Sequence, residues 1–271
     1  MFAEWIGRSE TVEDIASPAP LAGMAALLDH ETPPWREGEV PPLGHWLYFL
    51  PRARQSLIDV DGHPKRGGFL PPIELPRRMW AGSRIEWHAP IKIGAKIANR
   101  STIKAIEHKT GKSGEMVFLT VRQEISGDGV LAITEERDVV FREASKPGEA
   151  PKAEPAQPCA AEWSRTLTPD ETQLFRFSAL TFNAHRIHYD RDYTTKVEGY
   201  PDLVVQGPYT ALLLMDHFLR RNPKASAKSF AFRARAPHFA GRPLKLCAAG
   251  HTLWSETDAG ATGMSAEIGA H

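Results

Sequence analysis

Cysteine is scarce, with only Cys159 and Cys247 in 271 residues. Two cysteines build no disulfide framework and no zinc site by spacing, so a reduced, cytoplasmic setting is expected. Net charge is also missing, since 33 Lys plus Arg stand against 33 Asp plus Glu. That balance gives no general attraction to nucleic acid or to an anionic membrane, and any anionic ligand must meet a local basic cluster. Long apolar runs are absent too. No stretch approaches the ~20 apolar residues that span a bilayer. The opening MFAEWIGRSETVEDI has neither the basic start nor the apolar run of a secretion signal. The chain therefore reads as globular, long enough for one large domain or two small ones.

Proline is plentiful and unevenly placed. Pro147, Pro151, Pro155 and Pro158 punctuate residues 143–160, which forbids a regular helix and favours an extended linker. The expected organisation is an N-terminal half over 1–142, the linker over 143–160 and a C-terminal half over 161–271. The halves look related. RIEWHAPIKIGAKI (84–97) sets Pro90 four residues before Gly94, and FRARAPHFAGRPLKL (232–246) sets Pro237 four residues before Gly241. Each reads as a strand, a glycine-bearing turn and a returning strand, which points to an internal duplication. One long helix is predicted upstream of each. In the second half it starts at Gly207 and ends in basic residues that suit a helix C-terminus. In the first half, Gly44-HWLYFLPRARQSL is the counterpart, with Pro51 interrupting its register, and Trp46, Tyr48 and Phe49 are expected in its core face.

Chemistry concentrates in FNAHRIHYD (182–190). Histidine is the side chain that takes and returns a proton near neutral pH. About twenty residues on, the helix opening at Gly207 offers unpaired backbone N–H groups and a positive dipole end, which can bind a carbonyl oxygen that gains charge during reaction. His188 as the proton-transfer residue and the Gly207 N–H as the oxyanion donor form a coherent pair. His185 and His188 are three apart, but no third ligand is apparent, so no metal is expected. Arg186, Arg233 and Arg235 are candidates for a phosphate or carboxylate of the substrate. The basic runs at 52–55 and 64–66 are weaker ones.

The stretch resembles the signature of the MaoC-like hot-dog hydratases, Ser/Thr-Gly-Asp-x-Asn-Pro-x-His followed by a His-Gly at the central helix. Thr181-Phe182 stands for the Ser-Gly, Asn183 for the Asp, His185 for the Asn, Arg186 for the Pro and His188 for the catalytic His. Gln206-Gly207 stands for the later His-Gly, which adds Gln206 to the substrate-binding candidates. The wording TFNAHRIHYD is most similar to a subgroup holding the mitochondrial hydroxyacyl-thioester dehydratases and the bacterial mesaconyl-CoA and itaconyl-CoA hydratases. The resemblance implies an α+β double hot-dog fold, two antiparallel sheets each wrapping a central helix. It also implies reversible hydration of an enoyl-CoA, with a short branched dicarboxylic acyl group (itaconyl-CoA or mesaconyl-C4-CoA, giving citramalyl-CoA) as the leading substrate. No cofactor is implied, because coenzyme A belongs to the substrate. A fatty-acid-type 3-hydroxyacyl thioester dehydratase is the second reading, and a thioesterase or acyl-thioester-binding module the third.

Asn183 departs from the signature, because an amide cannot exchange a proton at neutral pH. Asn183 is expected to orient the water while His188 moves the proton, with Asp190 or His185 as the alternative replacement for the missing acid. In the first half Asp29 precedes Gly44 much as Asn183 precedes Gly207, but Pro34 falls where a His would be needed, so one site per chain is expected. The exposed edges of hot-dog sheets leave a homodimer open.

Overall fold

The structure is a computed structural model that describes residues 2–111, 114–143 and 160–271. All but the ends of the expected linker, with Cys159, lie outside the described residues. Ten strands form one antiparallel sheet. The first five are β1 (Ser9–Ile15), β2 (Arg77–Trp87), β3 (Lys96–Gly111), β4 (Gly114–Gly127) and β5 (Val130–Arg142). The second five are β6 (Trp163–Leu167), β7 (Ala227–Ala234), β8 (Leu244–Ala249), β9 (Thr252–Glu256) and β10 (Thr262–Ala270). The spatial order is β1-β3-β4-β5-β2-β7-β10-β9-β8-β6. Read outward from the middle, both halves repeat one order: second strand, fifth, fourth, third, first. This is the topology that a duplicated unit gives. Both Pro-to-Gly units have the expected glycine turn, at Gly94 (φ 92°) before β3 and Gly241 (φ 72°) before β8, but the strands on either side do not return onto each other: β2 does not pair with β3, nor β7 with β8.

The halves join edge to edge through β2 and β7, from Gly82 opposite Arg233 to Glu86 opposite Ser229. Contact at Gly82 is so close that a Cβ there would lie 2.3 Å from the Phe232 carbonyl oxygen. Among the four α-helices of the described residues, α1 (Pro18–Leu27), α2 (Glu171–Thr181), α3 (Arg191–Lys196) and α4 (Gly207–Arg221), α4 is the central one. Every residue from Tyr209 to Leu219 is buried, as expected of a helix enclosed on all sides. Asp216 and His217 of that run are accommodated differently. Asp216 holds His30 of the first half together with Arg165 and Arg220, while burial pushes the neighbouring His217 down to about 4.

The first half does not form the predicted helix at Gly44. Only a single 3-10 turn, Gly44–Leu47, is present. Left-handed backbone at Leu43 (φ 66°) and Phe49 (φ 56°) closes it at both ends. The Phe49 N–H is taken by Asp14 Oδ2 at 3.0 Å, and the Tyr48 hydroxyl donates to the Ser17 carbonyl at 2.7 Å. Apolar density was a true sign of burial here, since Trp46 and Tyr48 are buried, but not of helix. This half instead carries α1, which leans on α2 through Gly23. A Cβ at Gly23 would sit 2.6 Å from Leu180 Cδ2.

A buried carboxylate organises the first half's inner face. Glu135 of β5 is fully buried. It accepts from Ser83 Oγ (2.7 Å), Trp46 Nε1 (3.0 Å), His45 Nε2 (3.1 Å) and Arg137 Nε (3.3 Å). Burial alone would raise its pKa, but Arg137 and then His45 and Ser83 hold it below the usual carboxylate range. No helix among the described residues is long and apolar enough to cross a membrane.

Candidate active site

The motif is built from local rules. Asp170 opens α2 with a reciprocal capping box to Gln173. The helix ends at Phe182 in left-handed conformation (φ 48°), which turns the chain out of the helix. Asn183 Oδ1 then accepts from the His185 N–H at 3.1 Å, and Arg186–His188 makes a 3-10 turn. His188 Nδ1 lies 2.7 Å from the Val204 carbonyl. A carbonyl only accepts, so the neutral ring carries its proton on Nδ1 and leaves Nε2 bare. Burial pushes His188 down to about 4 although the bond to Val204 pulls the other way. His185 is driven further, to about 2, first by burial and then by the neighbouring His63 and His188.

These groups face a cavity of about 560 Å³ walled by both halves, a size suited to an acyl group and part of its carrier. His188, His185, Asn183, Gly207 and Arg235 all line it. Gly207 is the first residue of α4 and is followed by Pro208, so the first-turn N–H groups have no partner within the helix. An imidazole with a bare nitrogen and a helix N-terminus on one cavity can move a proton and hold a developing oxyanion.

Four predicted residues are elsewhere. Asp190 is not on the cavity: its Oδ1 caps α3 by accepting from Tyr193 N–H at 2.9 Å, and its Oδ2 accepts from Arg186 Nε at 3.1 Å. It is a structural carboxylate and does not replace the missing acid. Arg186 points outward with it, donates to the Val60 carbonyl at 3.1 Å and lies 4.3 Å over the Tyr193 ring. Gln206 is fully buried off the cavity, and its Nε2 donates to the Leu174 carbonyl (2.9 Å) and Ser178 Oγ (3.0 Å), tying α2 to the start of α4. Arg233 is exposed because it alternates with the inward Phe232 along β7. The basic runs are likewise used locally. Arg66 donates to the Ile73 and Pro76 carbonyls, and Arg52 lies 3.7 Å from Asp14.

The profile of hydroxyacyl-thioester dehydratase type 2 matches residues 42–240, well over half of the chain. The chain is also 46% identical over 269 residues to mesaconyl-C(4)-CoA hydratase of Chloroflexus aurantiacus, covering 97% of this chain and 96% of that one. This chain belongs to the hydroxyacyl-thioester dehydratase type 2 family. Its fold matches that of a MaoC-like dehydratase at TM-score 0.73 and 14% identity, covering 99% of each chain. It also matches a Mycobacterium tuberculosis protein with a double hot-dog fold at TM-score 0.58 and 14% identity, covering 98% of this chain and 96% of that one. The α+β double hot-dog architecture is therefore the fold, with the correction that one half has lost its long helix.

In this family member, sequence reasoning missed what the first half brings to the cavity. Asp61, His63, Arg78 and Arg137 all line it. The loop carrying Asp61 and His63 is pressed onto the motif: the Arg186 N–H donates to the Asp61 carbonyl at 2.9 Å, and a Cβ at Gly62 would fall 1.8 Å from the Ala184 carbonyl oxygen. The expectation of no metal rested on a missing third ligand near His185. Folding brings polar atoms of Asp61, His63 and His185 within 4.8 Å of one another. A direct Asp61–His63 hydrogen bond already joins two of the three. The only signal in the chain was the compact Asp-Gly-His-Pro run at 61–64, which reads as a turn.

Proposed function

We propose that this chain adds water to the double bond of a short, branched, dicarboxylic enoyl-CoA of the mesaconyl-C4 kind, giving a citramalyl-type thioester, and runs the reverse dehydration. The chain is a hydro-lyase by family. The carrying observation is the arrangement of His188, with Nδ1 fixed on Val204 and Nε2 bare, on the same cavity as the Gly207 end of α4. The thioester carbonyl is bound by the α4 N-terminus at Gly207, which draws electrons out of the double bond. Asn183 orients the water. The water oxygen bonds to Cβ, one of its protons passes to His188 Nε2, and the π pair moves onto the thioester as an enolate. His188 then returns the proton to Cα, so one water is added with no net change in the protein. No cofactor enters these steps. A cytoplasmic protein fits the reading, and the outer edges of β1 and β6 keep a homodimer as the proposed assembly.

The active form of His188 is neutral, and its pKa is lowered, so that form persists into acid. The acid limb of kcat/KM is expected to have its midpoint near 4 instead of near 6.5. A midpoint near 6.5 in a pH–rate profile would count against His188 as the base.

Arg78 supports the dicarboxylic substrate. In a mesaconyl-C4 thioester the free carboxylate sits on the very carbon that water attacks, so its cation must lie beside the base. Arg78 lines the cavity, and its charge acts on both His63 and His185. Among the described residues its guanidinium has no hydrogen-bonded or ion-paired partner, and the charges of Asp61 and Asp59 act on it. Arg78→Gln is expected to lower kcat/KM for mesaconyl-C4-CoA about 10–100-fold, the worth of a charge-assisted hydrogen bond. Crotonyl-CoA, which has no second carboxylate, should be affected little. Equal losses on both substrates would remove the argument for a dicarboxylic acyl group. Following enoyl absorbance alongside free thiol separates hydration from thioesterase action, and a preference for longer 3-hydroxyacyl thioesters would favour the fatty-acid-type dehydratase.

A further inference from the structure

The reaction as proposed leaves one hydrogen of the attacking water unmatched. Water presents two hydrogens, of which one leaves to His188 and the other stays on the new hydroxyl. The family signature puts a carboxylate next to its histidine, able to accept the second hydrogen. Here that position is Asn183, whose Oδ1 is already engaged by the His185 N–H at 3.1 Å, so its role in orienting the water falls to the Nδ2 donor and the second hydrogen still needs an acceptor.

The first half offers an acceptor of the right kind. Asp61 Oδ2 lies 2.9 Å from His63 Nδ1, and Asp61 Oδ1 accepts from the His63 backbone N–H at 2.9 Å. The carboxylate thus grips one residue at two points. Burial would raise the Asp61 pKa, but the hydrogen bonds from the His63 ring and backbone N–H outweigh it and hold the group below the usual carboxylate range, so it is an ionised acceptor. His63 must then carry its proton on Nδ1 and leave Nε2 bare, the same tautomer as His188. The His63 ring lies 4.1 Å from that of His185, which is 5.3 Å edge-on from that of His188. Both bare-nitrogen imidazoles line the one cavity. Other charged groups acting on His63 are Arg78 and Arg66, both of which disfavour its protonation.

We infer that His63, held by Asp61, is a second catalytic residue of the hydration, accepting the hydrogen that stays on the water oxygen while His188 takes the one that leaves. It rests on the reading of His188 above. The Asp61–His63 pair does from the first half what the signature carboxylate would do from position 183. With both hydrogens bound to ring nitrogens, the oxygen lone pair is aimed at Cβ. In the reverse direction the pair holds the departing hydroxyl.

Steady-state kinetics of His63→Ala, His63→Gln and Asp61→Asn with mesaconyl-C4-CoA test the assignment, each variant checked for an unchanged melting transition. His63→Ala is expected to lose about 100-fold in kcat with KM little changed, and added imidazole should restore part of the loss. Asp61→Asn, which keeps the shape but not the charge, should lose at least about tenfold in kcat. Should His63→Ala not fold, His63→Gln and Asp61→Asn carry the test. Rates within threefold of the parent, or losses confined to KM, would overturn the inference. So would activity abolished by EDTA and restored by zinc, which would make the trio a metal site. His188→Ala separates the two claims: if it stays active, the reading of His188 has failed, whereas an inactive His188→Ala beside active His63 and Asp61 variants sinks this inference alone.

Discussion

Replacing His188 by alanine is expected to lower kcat for enoyl-CoA hydration about 10²–10⁴-fold, the range for removing a positioned general base. The fold should survive, because the ring borders a cavity and Val204, whose carbonyl it meets, is also held by its bridge to Phe239 and by its N–H to the Ile187 carbonyl. KM should change little, since the contacts proposed for the thioester carbonyl at Gly207 and for the carboxylate at Arg78 are left in place. Loss of enoyl absorbance at saturating substrate measures the effect, with the melting transition as control. Turnover within threefold of the parent would remove the basis of the whole assignment.

The second large effect concerns stability. Glu135→Ala is expected to destabilise the chain by about 3–5 kcal/mol, the cost of removing one partner from a buried charged group. The loss strands Arg137, His45, Trp46 and Ser83 together, all of which now donate to one carboxylate. Arg137 then has only its stacking over Trp80, 3.7 Å from the ring. Glu135→Gln keeps an acceptor of the same shape and should cost less. Urea unfolding of the two variants measures both. If Glu135→Ala unfolds at the parent midpoint, the carboxylate is not organising this face of the sheet.

The parts of the site that were legible in the sequence are those made by neighbouring residues. A helix end, a left-handed turn and a 3-10 turn place Asn183, His185 and His188 within six residues, so their company could be read directly. Asp190 shows how the same proximity misleads. It looked like a catalytic carboxylate, yet it stands immediately before α3 and four residues after Arg186, where capping and an i,i+4 pair each explain it. Gln206 was misjudged for a related reason, since a residue beside a reacting backbone group need not face the substrate. Asp61, His63 and Arg78 lie more than a hundred residues from His188. No periodicity says which loops will meet; the pairing of β2 with β7 and the hydrogen bond from the Arg186 N–H to the Asp61 carbonyl bring them there. The helix predicted at Gly44 failed because apolar density reports burial, whereas left-handed backbone at Leu43 and Phe49 decides the path.

The central pairing of β2 and β7 has a consequence for how such a site can be altered. Two identical subunits meeting along that seam would be bound by symmetry, and every residue placed on one side would reappear on the other. A single chain that repeats its own strand order is free of that constraint. One side can keep the histidine that meets the water while the opposite side gives up its long helix and presents an arginine and an Asp–His pair instead. A change of acyl preference can then be sought on the first-half wall, at Arg78 and its neighbours. The residues that hold His188 in place can stay as they are.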